Sequence, residues 1–269
     1  MAHQNRLQDS HVLVFGGTSG IGYAIANMAL SYGARVTISG SRQPKVDTKV
    51  ELLRSLYPNK PVSSVSGFAV DLSDKANLET NLRAMLAKTT DGGRNKVDHI
   101  AFTAGDAINL PKLETVTVEG ILDGFSIRLL APSIIAKLLT TGDYMTKSVN
   151  SSFTVTGGTN THRPMPGWTF SAVIGASLEG FTRGIAVDLA PIRANIVIAG
   201  AIHTELLQGF LEKSTPEMVE GMKKEFSLSG DFGKPEDIAE AYGWIMKDRF
   251  ANGSMVTSDG GRLLVGSAK

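Results

Sequence analysis

Cysteine is absent from the chain, and this absence excludes disulfide bonds, thiolate nucleophiles and cysteine-ligated zinc. The five histidines show no spacing typical of metal ligands, so we predict no metal site. An excess of one charge is also lacking, because 27 Lys and Arg residues stand against 26 Asp and Glu residues, for a formal net charge of +1. This balance leaves no electrostatic footprint for nucleic acid or for an anionic membrane.

Long hydrophobic runs are missing as well, and none approaches the length that crosses a membrane. The N-terminal segment passes from a short polar stretch directly into a strand pattern, without the apolar core of a signal peptide, which predicts a cytoplasmic protein. The 269 residues are 42% hydrophobic and 20% charged, as is typical of a globular chain that buries a full core. No repeat or linker divides them, so we expect a single domain over residues 1–269.

Short runs rich in β-branched residues alternate with longer segments of helical periodicity. Segments such as 21–32 and 74–88 are long enough for right-handed crossovers that cover both faces of a sheet. The alternation therefore predicts a doubly wound α/β fold of the Rossmann type, with a parallel sheet. The segment 203–229 is helical in pattern but lies off the alternation, which makes it a candidate lid. The predicted strands are 11–15, 35–39, 66–70, 97–102, 151–156 and 195–199.

A glycine-rich segment, 16–22, follows the first predicted strand and opens a helix. Glycines let the backbone turn tightly and approach a pyrophosphate, and the helix N-terminus offers unpaired N–H groups with a partial positive charge. The alternative is a strand-to-helix turn that binds nothing. The spacing is GxxxGxG. The positions that we expect to contact a dinucleotide are Gly16, Thr18, Ser19, Gly20, Ile21 and Gly22.

The end of the second predicted strand carries no acidic residue, although a carboxylate there is what binds the ribose 2'-hydroxyl of NAD. Ser39, Ser41 and Arg42 stand there instead, and hydroxyls with a guanidinium suit a 2'-phosphate. The sequence therefore favours NADP(H), the alternative being a solvated arginine after a strand. Asp71 and the run Thr103-Ala104-Gly105 follow the third and fourth strands, at the sheet edge where such folds bind ligands.

Together these motifs resemble the short-chain dehydrogenase/reductase family over nearly the whole chain. The resemblance also uses Asp71-Leu72, the run 179–206 and the SDGG segment at 258–261. It implies further cofactor contacts at Leu72, Thr156, Gly200, Ile202 and Thr204. It also implies a dimer or tetramer through the helix at 172–190, where small residues allow close helix approach; close packing within one subunit is the alternative. These small residues are Gly175, Ala176, Gly180 and Gly184.

The chain departs from the family at all four positions of its catalytic tetrad. The family's Tyr falls on Ser171, its Lys on Gly175, its Ser on Gly158 and its Asn on Arg128. A carbonyl reductase must protonate the developing alkoxide, and a serine hydroxyl is a far weaker acid than a tyrosine beside a lysine. An iminium carbon accepts hydride without protonation. The departure therefore favours C=N chemistry, or a cofactor kept as structure.

One branch of the family shares these losses: fungal reductase/Diels-Alderases of prenylated indole alkaloid pathways. The segment 164–168 resembles the Pro-Asp-Pro-Gly-Trp segment of that branch. The resemblance implies NADPH-dependent reduction of a cyclic iminium, followed by intramolecular [4+2] cycloaddition of a polycyclic prenylated indole. Met165 stands where the branch has Asp, so we expect a changed substrate or a changed balance of activities. The catalytic candidates are Arg128, Met165, Trp168 and Ser171.

Alternatives remain open for both the residues and the function. Trp168 is either a wall of the site or a filler between loop and core, and Arg128 either orients an amide oxygen or forms an ion pair or a solvated surface contact. The function is an iminium- or azadiene-directed enzyme, a reductase with an acid relocated to Thr156, Thr159 or Ser171, or a non-catalytic NADP(H)-binding scaffold.

Overall fold

The computed structural model describes residues 3–106 and 112–264. The rest of the domain predicted over 1–269 lies outside the described residues. Seven parallel strands form one sheet in the order β3-β2-β1-β4-β5-β6-β7. The strands are β1 His11–Phe15, β2 Arg35–Gly40, β3 Val65–Ala69, β4 His99–Phe102, β5 Ser152–Gly158, β6 Arg193–Ala199 and β7 Met255–Ser258.

Helices cover both faces of this sheet and bury two apolar cores, one on each side. Helices α1, α2 and α9 pack on one face, while α3, α5 and α6 pack on the other. The doubly wound α/β prediction is therefore confirmed. No helix of the described residues is long and apolar enough to cross a membrane. The helices are α1 Gly20–Ser31, α2 Gln43–Leu56, α3 Leu78–Thr89, α4 Val118–Gly124, α5 Ala131–Thr141, α6 Thr169–Asp188, α7 Glu205–Leu211, α8 Pro216–Phe226 and α9 Pro235–Lys247.

All six predicted strands are present, with bounds that differ from the prediction by at most two residues. The seventh strand, β7, was not predicted. It has four residues at the sheet edge, and none of them is fully buried. An edge strand that buries neither face lacks the apolar pattern by which strands are recognised in a sequence.

The strand order reverses between β1 and β4, which are neighbours in the sheet although β2 and β3 separate them in sequence. Their last residues, Phe15 and Phe102, are register partners. The loops that follow β1 and β4 therefore start side by side. A crevice at the carboxyl ends of the strands is the usual ligand position in such sheets.

The segment predicted as a lid contains two helices, α7 and α8, that lie between β6 and α9. Each begins at a threonine whose side chain accepts a hydrogen bond from the backbone of its first turn. Thr204 accepts from the Leu207 N–H, and Thr215 accepts from the Met218 N–H. These caps satisfy N-terminal N–H groups that the helix itself leaves unpaired.

Candidate functional site

The glycines of the segment 16–22 lie where a side chain would be crowded or strained. Gly16 has a φ of +81°, in the left-handed region that favours glycine. A Cβ atom on Gly22 would lie 2.3 Å from the Gly16 carbonyl oxygen and 2.5 Å from Thr103 Oγ1. At the turn from β1 into α1, no side chain at Gly16 or Gly22 therefore covers the backbone. This arrangement fits a pyrophosphate held by backbone N–H groups at a helix N-terminus.

The residues at the end of β2 divide into a buried part and an exposed part. Ser39 is buried, and its backbone oxygen accepts hydrogen bonds from the N–H groups of Gly16 and Gly17 at 3.1 and 2.9 Å. Ser41 and Arg42 are exposed, and Arg42 is the residue from which α2 begins. Ser41 and Arg42 thus follow β2 as exposed residues, while Ser39 fixes the backbone at the start of the glycine-rich segment.

The two predicted contacts after β3 differ in exposure. Asp71 is exposed, and its Oδ1 accepts hydrogen bonds from the Ser73 hydroxyl at 2.6 Å and the Ser73 N–H at 2.9 Å. These bonds, that from the hydroxyl first, lower the pKa of Asp71. Leu72 is buried in the core beneath. Of these two residues, only Asp71 therefore offers a polar side chain to a ligand.

A cleft of about 320 Å³ opens at the carboxyl ends of β4, β5 and β6. Residues from α1, α4, α6, α7 and α8, and from the turns and loops between the sheet and the helices, complete its lining. It brings together all the predicted catalytic residues, Arg128, Met165, Trp168 and Ser171. The predicted cofactor residues in the lining are Ile21, Thr103, Ala104, Thr156, Gly200, Ile202 and Thr204. Gly16, Thr18, Ser19, Gly20, Gly22, Ser39, Ser41, Arg42, Asp71, Leu72 and Gly105 are not part of the lining.

Arg128 reaches the cleft from a π-helical turn, Ser126–Leu130, that precedes α5. Its Nη2 donates to the Asp106 backbone oxygen at 2.9 Å, and its Nε lies 3.3 Å from Asp106 Oδ1. A Cβ atom on Gly105 would lie 2.7 Å from the Arg128 guanidinium carbon. Gly105, predicted as a cofactor contact, therefore leaves space for the guanidinium. Such π-helical turns are frequent at functional sites.

Trp168 lies half-buried at the cleft and belongs to neither apolar core. It follows Gly167, whose φ of +81° turns the chain into α6. Its ring packs edge-on against Phe210 of α7, with the ring centroids 6.5 Å apart and an interplanar angle of 77°. This position favours the wall of a site over the filler between loop and core.

At the position of the family's lysine, the space for a side chain is taken by the Thr161 hydroxyl. Gly175 is buried in α6, and a Cβ atom there would lie 1.8 Å from Thr161 Oγ1. Ser171, one turn earlier, lies half-buried in the cleft lining. The structure thus keeps a hydroxyl at the tyrosine position, and at Gly175 it packs the Thr161 hydroxyl where a side chain would begin.

Two threonine hydroxyls at the cleft are already bonded. Thr156 Oγ1 lies 2.8 Å from the Phe102 backbone oxygen, to which it donates, and 2.6 Å from the hydroxyl of buried Tyr242. Burial raises the pKa of Tyr242, so this tyrosine stays neutral. Thr204 donates to the Ile202 backbone oxygen at 3.3 Å, and its methyl group packs against Gly20. Both residues fix the backbone around the cleft.

A second arginine, Arg262, lines the cleft and was not predicted as a site residue. It is 4% exposed, and its Nη1 donates to Thr159 Oγ1 at 2.8 Å. Its guanidinium lies over the ring of Phe226 at the end of α8, 4.7 Å from the centroid. No sequence pattern points to this role, because Arg262 meets its partners Thr159 and Phe226 only across the fold.

The loop between β5 and α6 is anchored by its two basic residues. His162 Nε2 lies 2.8 Å from Oε1 of Glu179, a carboxylate that is buried in α6. Arg163 Nη1 donates to the Arg262 backbone oxygen at 2.6 Å. Both contacts hold the loop that carries Met165 and Trp168 against the rest of the protein.

Comparisons with known proteins agree with this geometry. Residues 3–265 match the family described as an SDR-like Rossmann domain. The short-chain dehydrogenase/reductase malC of Malbranchea aurantiaca is 38% identical over 258 residues, which cover 96% of each chain. The short-chain dehydrogenase/reductase fsr5 of Gibberella fujikuroi is 36% identical over 261 residues, which cover 97% of each chain.

A solved structure, that of the MalC reductase/Diels-Alderase from Malbranchea aurantiaca, superposes with a TM-score of 0.90. It is 37% identical, and the match covers 97% of this chain and 100% of that one. These matches extend over nearly the full length, and they indicate the same family as the sheet order and the glycine-rich segment do. The chain belongs to the short-chain dehydrogenase/reductase family.

Proposed function

We propose that the protein is an NADP(H)-dependent enzyme that acts on a cyclic iminium or azadiene of a prenylated indole alkaloid. The proposed reaction is reduction, intramolecular [4+2] cycloaddition, or both. One observation carries the proposal: the cleft holds Arg128 and Trp168, whereas Ser171 and Gly175 occupy the positions of the usual proton donor and its lysine. The similarity to a reductase/Diels-Alderase supports the same chemistry.

The groups in the cleft suit a substrate that needs little protonation. When bound, a reduced nicotinamide supplies a hydride. Among the described residues, the cleft lining contains neither Tyr nor Lys for alkoxide protonation, and the Thr156 hydroxyl is already bonded to Phe102 and Tyr242. An iminium carbon carries positive charge and takes up hydride without an acid. A relocated acid at Thr156 is therefore disfavoured.

Arg128 and Trp168 are proposed to orient the substrate. The Arg128 side chain is 31% exposed, so N–H groups beyond those facing Asp106 remain open to an amide oxygen. The Trp168 and Phe210 rings give an apolar wall for an indole or a cation. Orientation alone contributes up to roughly 7 to 11 kcal/mol in the most favourable intramolecular reactions. A cycloaddition needs no more from the chain.

The lid is proposed to consist of α7 and α8. Leu206, Leu207 and Phe210 of α7 and Phe226 of α8 line the cleft. Leu206 and Phe210 are 46% and 39% exposed, although both are large apolar residues. A polycyclic ligand that covered them would remove apolar surface from water, which favours closure of the lid over the ligand.

NADP(H) is proposed in preference to NAD(H). No carboxylate lies in the segment 39–42 at the end of β2, and both Ser41 and Arg42 are exposed beside the glycine-rich segment. A hydroxyl and a guanidinium form charge-assisted hydrogen bonds with a phosphate, and these are stronger than their bonds to a free ribose hydroxyl.

A homo-oligomer, either a dimer or a tetramer, is proposed through α6. Added Cβ atoms on Gly180 and Gly184 would meet nothing within 4 Å, and Val187 is 75% exposed. The small residues therefore divide: Gly175 serves packing within the subunit, whereas Gly180 and Gly184 leave a helix face open. Size-exclusion chromatography with light scattering tests this proposal, and a Gly184→Arg variant is expected to shift the protein towards monomer.

The proposed function is tested with a prenylated indole dipeptide iminium, incubated with and without NADPH. Reduced product and cycloadduct are measured separately by chromatography and mass spectrometry. Wild type is compared with Trp168→Ala and with the matched control Trp244→Ala, which changes an exposed tryptophan of α9. We expect turnover by wild type and by the control, and a loss of cycloadduct with Trp168→Ala. Absence of both products under both conditions would refute the proposal.

A further inference from the structure

Arg262 is a buried cation without a close anionic partner. Its side chain is 4% exposed, and no carboxylate among the described residues lies within ion-pair distance of it. Its Nε has no hydrogen-bond partner there either. Burial first, and then the charge of Arg163, lower its pKa, and the more distant carboxylates of Glu225 and Asp259 offset this only in part. Since a buried charge is costly unless hydrogen bonds compensate it, the neutral groups that Arg262 does contact are expected to matter.

The strongest of these contacts is with Thr159. This residue is 2% exposed, lines the cleft, and stands in a 3₁₀ turn, Thr159–Thr161, directly after β5. Its Oγ1 accepts a hydrogen bond from Arg262 Nη1 at 2.8 Å. Arg262 Nη2 donates to Asn160 Oδ1 at 3.1 Å, which fixes the plane of the guanidinium. The Thr159 oxygen is therefore held in place by a cation.

The proton of the Thr159 hydroxyl has no acceptor among the residues described. A threonine hydroxyl donates one hydrogen bond, and at Thr159 only its acceptor side is used. A cation that binds the oxygen withdraws electron density from the O–H bond, which makes the hydroxyl a better donor. In this respect Thr159 differs from Thr156, whose hydroxyl is already bonded on the side of the protein.

We propose that Thr159, polarised by Arg262, binds an amide carbonyl oxygen of the substrate by donating a hydrogen bond into the cleft. This inference rests on the proposed function and adds a second donor to Arg128. A cyclic dipeptide core presents two amide carbonyls, and the cleft then offers one donor for each. Arg262 itself is a positioning residue, which acts on the ligand through Thr159.

The contact with Phe226 gives Arg262 a second consequence. The same guanidinium that holds the Thr159 oxygen lies over a ring at the end of α8. A change at Arg262 therefore disturbs both the hydroxyl and the lid, whereas a change at Thr159 removes the hydroxyl alone. For this reason the Thr159 variants carry the test.

The test measures binding of the cyclic dipeptide of tryptophan and proline by isothermal titration calorimetry at saturating NADP⁺. Wild type is compared with Thr159→Val, which removes the hydroxyl at nearly constant shape, and with Thr159→Ser, which keeps it. Thr154→Val is the matched control, because Thr154 lies on β5 with a buried hydroxyl that has no partner and does not line the cleft. We expect Kd to rise about tenfold for Thr159→Val and to stay unchanged for Thr159→Ser and Thr154→Val.

A double variant separates binding from folding. Thr159→Val leaves Arg262 Nη1 without its acceptor and is expected to lower Tm. Thr159→Val with Arg262→Met removes both partners together and is expected to regain part of that stability. The proposal requires that Kd stays raised in the double variant. Wild-type affinity in Thr159→Val or in the double variant would overturn it, and so would affinity in Thr159→Ser as weak as in Thr159→Val. Since the readout is binding, failure of the proposed reaction appears separately, as a missing product with the affinity ranking intact.

Discussion

The close packing of Thr161 against Gly175 allows us to predict how Gly175→Ala changes the free energy of unfolding. An alanine Cβ would lie 1.8 Å from Thr161 Oγ1 and 3.1 Å from Thr161 Cβ, so the hydroxyl must rotate away and the turn must shift by a few tenths of an ångström. Overpacking of this kind costs about 1 to 3 kcal/mol. The better helix propensity of alanine returns about 1 kcal/mol. We therefore expect a net loss of roughly 0 to 2 kcal/mol in the free energy of unfolding.

The matched control is Gly221→Ala in α8, where an added Cβ meets nothing within 4 Å. There only the propensity term acts, so the free energy of unfolding should rise by up to about 1 kcal/mol. The two variants should therefore differ by about 1 to 3 kcal/mol, or by roughly 2 to 12 °C in Tm. Urea denaturation followed by circular dichroism measures both variants.

A second substitution tests the cause. Thr161→Ala removes the hydroxyl that stands 1.8 Å from the added Cβ, so the double variant with Gly175→Ala should recover most of the loss. The coupling free energy from this double-mutant cycle is expected to be about 1 to 2 kcal/mol. If Gly175→Ala were as stabilising as Gly221→Ala, or if the two substitutions were additive, the steric argument would be refuted.

Three further predictions concern the cleft, the cofactor and the pH dependence of stability. Met165→Asp places a carboxylate in the cleft lining and is expected to lower KM for a cationic iminium at least about threefold, because opposite charges attract. Met165→Asn adds no charge and is expected to leave KM unchanged. Steady-state kinetics measure both variants, and equal effects would rule out charge as the cause. Arg42→Ala should raise KM for NADPH about tenfold or more and leave KM for NADH unchanged, measured with the same substrate; a parallel rise for both cofactors would contradict a phosphate contact. Burial lowers the pKa of His99 to about 4, against 6.5 in the unfolded chain, so the folded state binds fewer protons and stability falls as pH drops from about 6.5 to about 4. Urea denaturation at pH 7 and pH 5 should show a smaller loss for His99→Gln than for wild type, and identical losses would exclude His99 as a cause.

Much of the fold and cofactor edge could be predicted from the sequence because their signals are local. The strand positions follow from buried β-branched runs, and the glycine-rich segment is recognisable because a tight turn between β1 and α1 requires the absence of side chains. The positions of Ser171 and Gly175 follow from a fixed offset along a single helix. Trp168 and Met165 lie in one loop, so the motif at 164–168 identifies both.

The remaining features depend on contacts between distant parts of the chain. Arg262 meets Thr159 across the fold, and no periodic pattern links the two positions. The π-helical turn that carries Arg128 changes the helical register by local backbone geometry, which residue spacing does not encode. The need for glycine at position 105 arises only once the guanidinium of Arg128 lies over it. These are properties of tertiary packing, which overrides local preference.

The edge-on contact between Trp168 and Phe210 has a spectroscopic consequence. The chain has two tryptophans, and the other, Trp244, is 46% exposed on α9. The wavelength at which an indole fluoresces depends on how much water surrounds it, and Trp168 lies between the cleft and α7. In a Trp244→Phe variant, the emission maximum and the fluorescence lifetime would therefore report the environment of Trp168 alone. The protein carries its own optical probe at the boundary between α7 and the cleft.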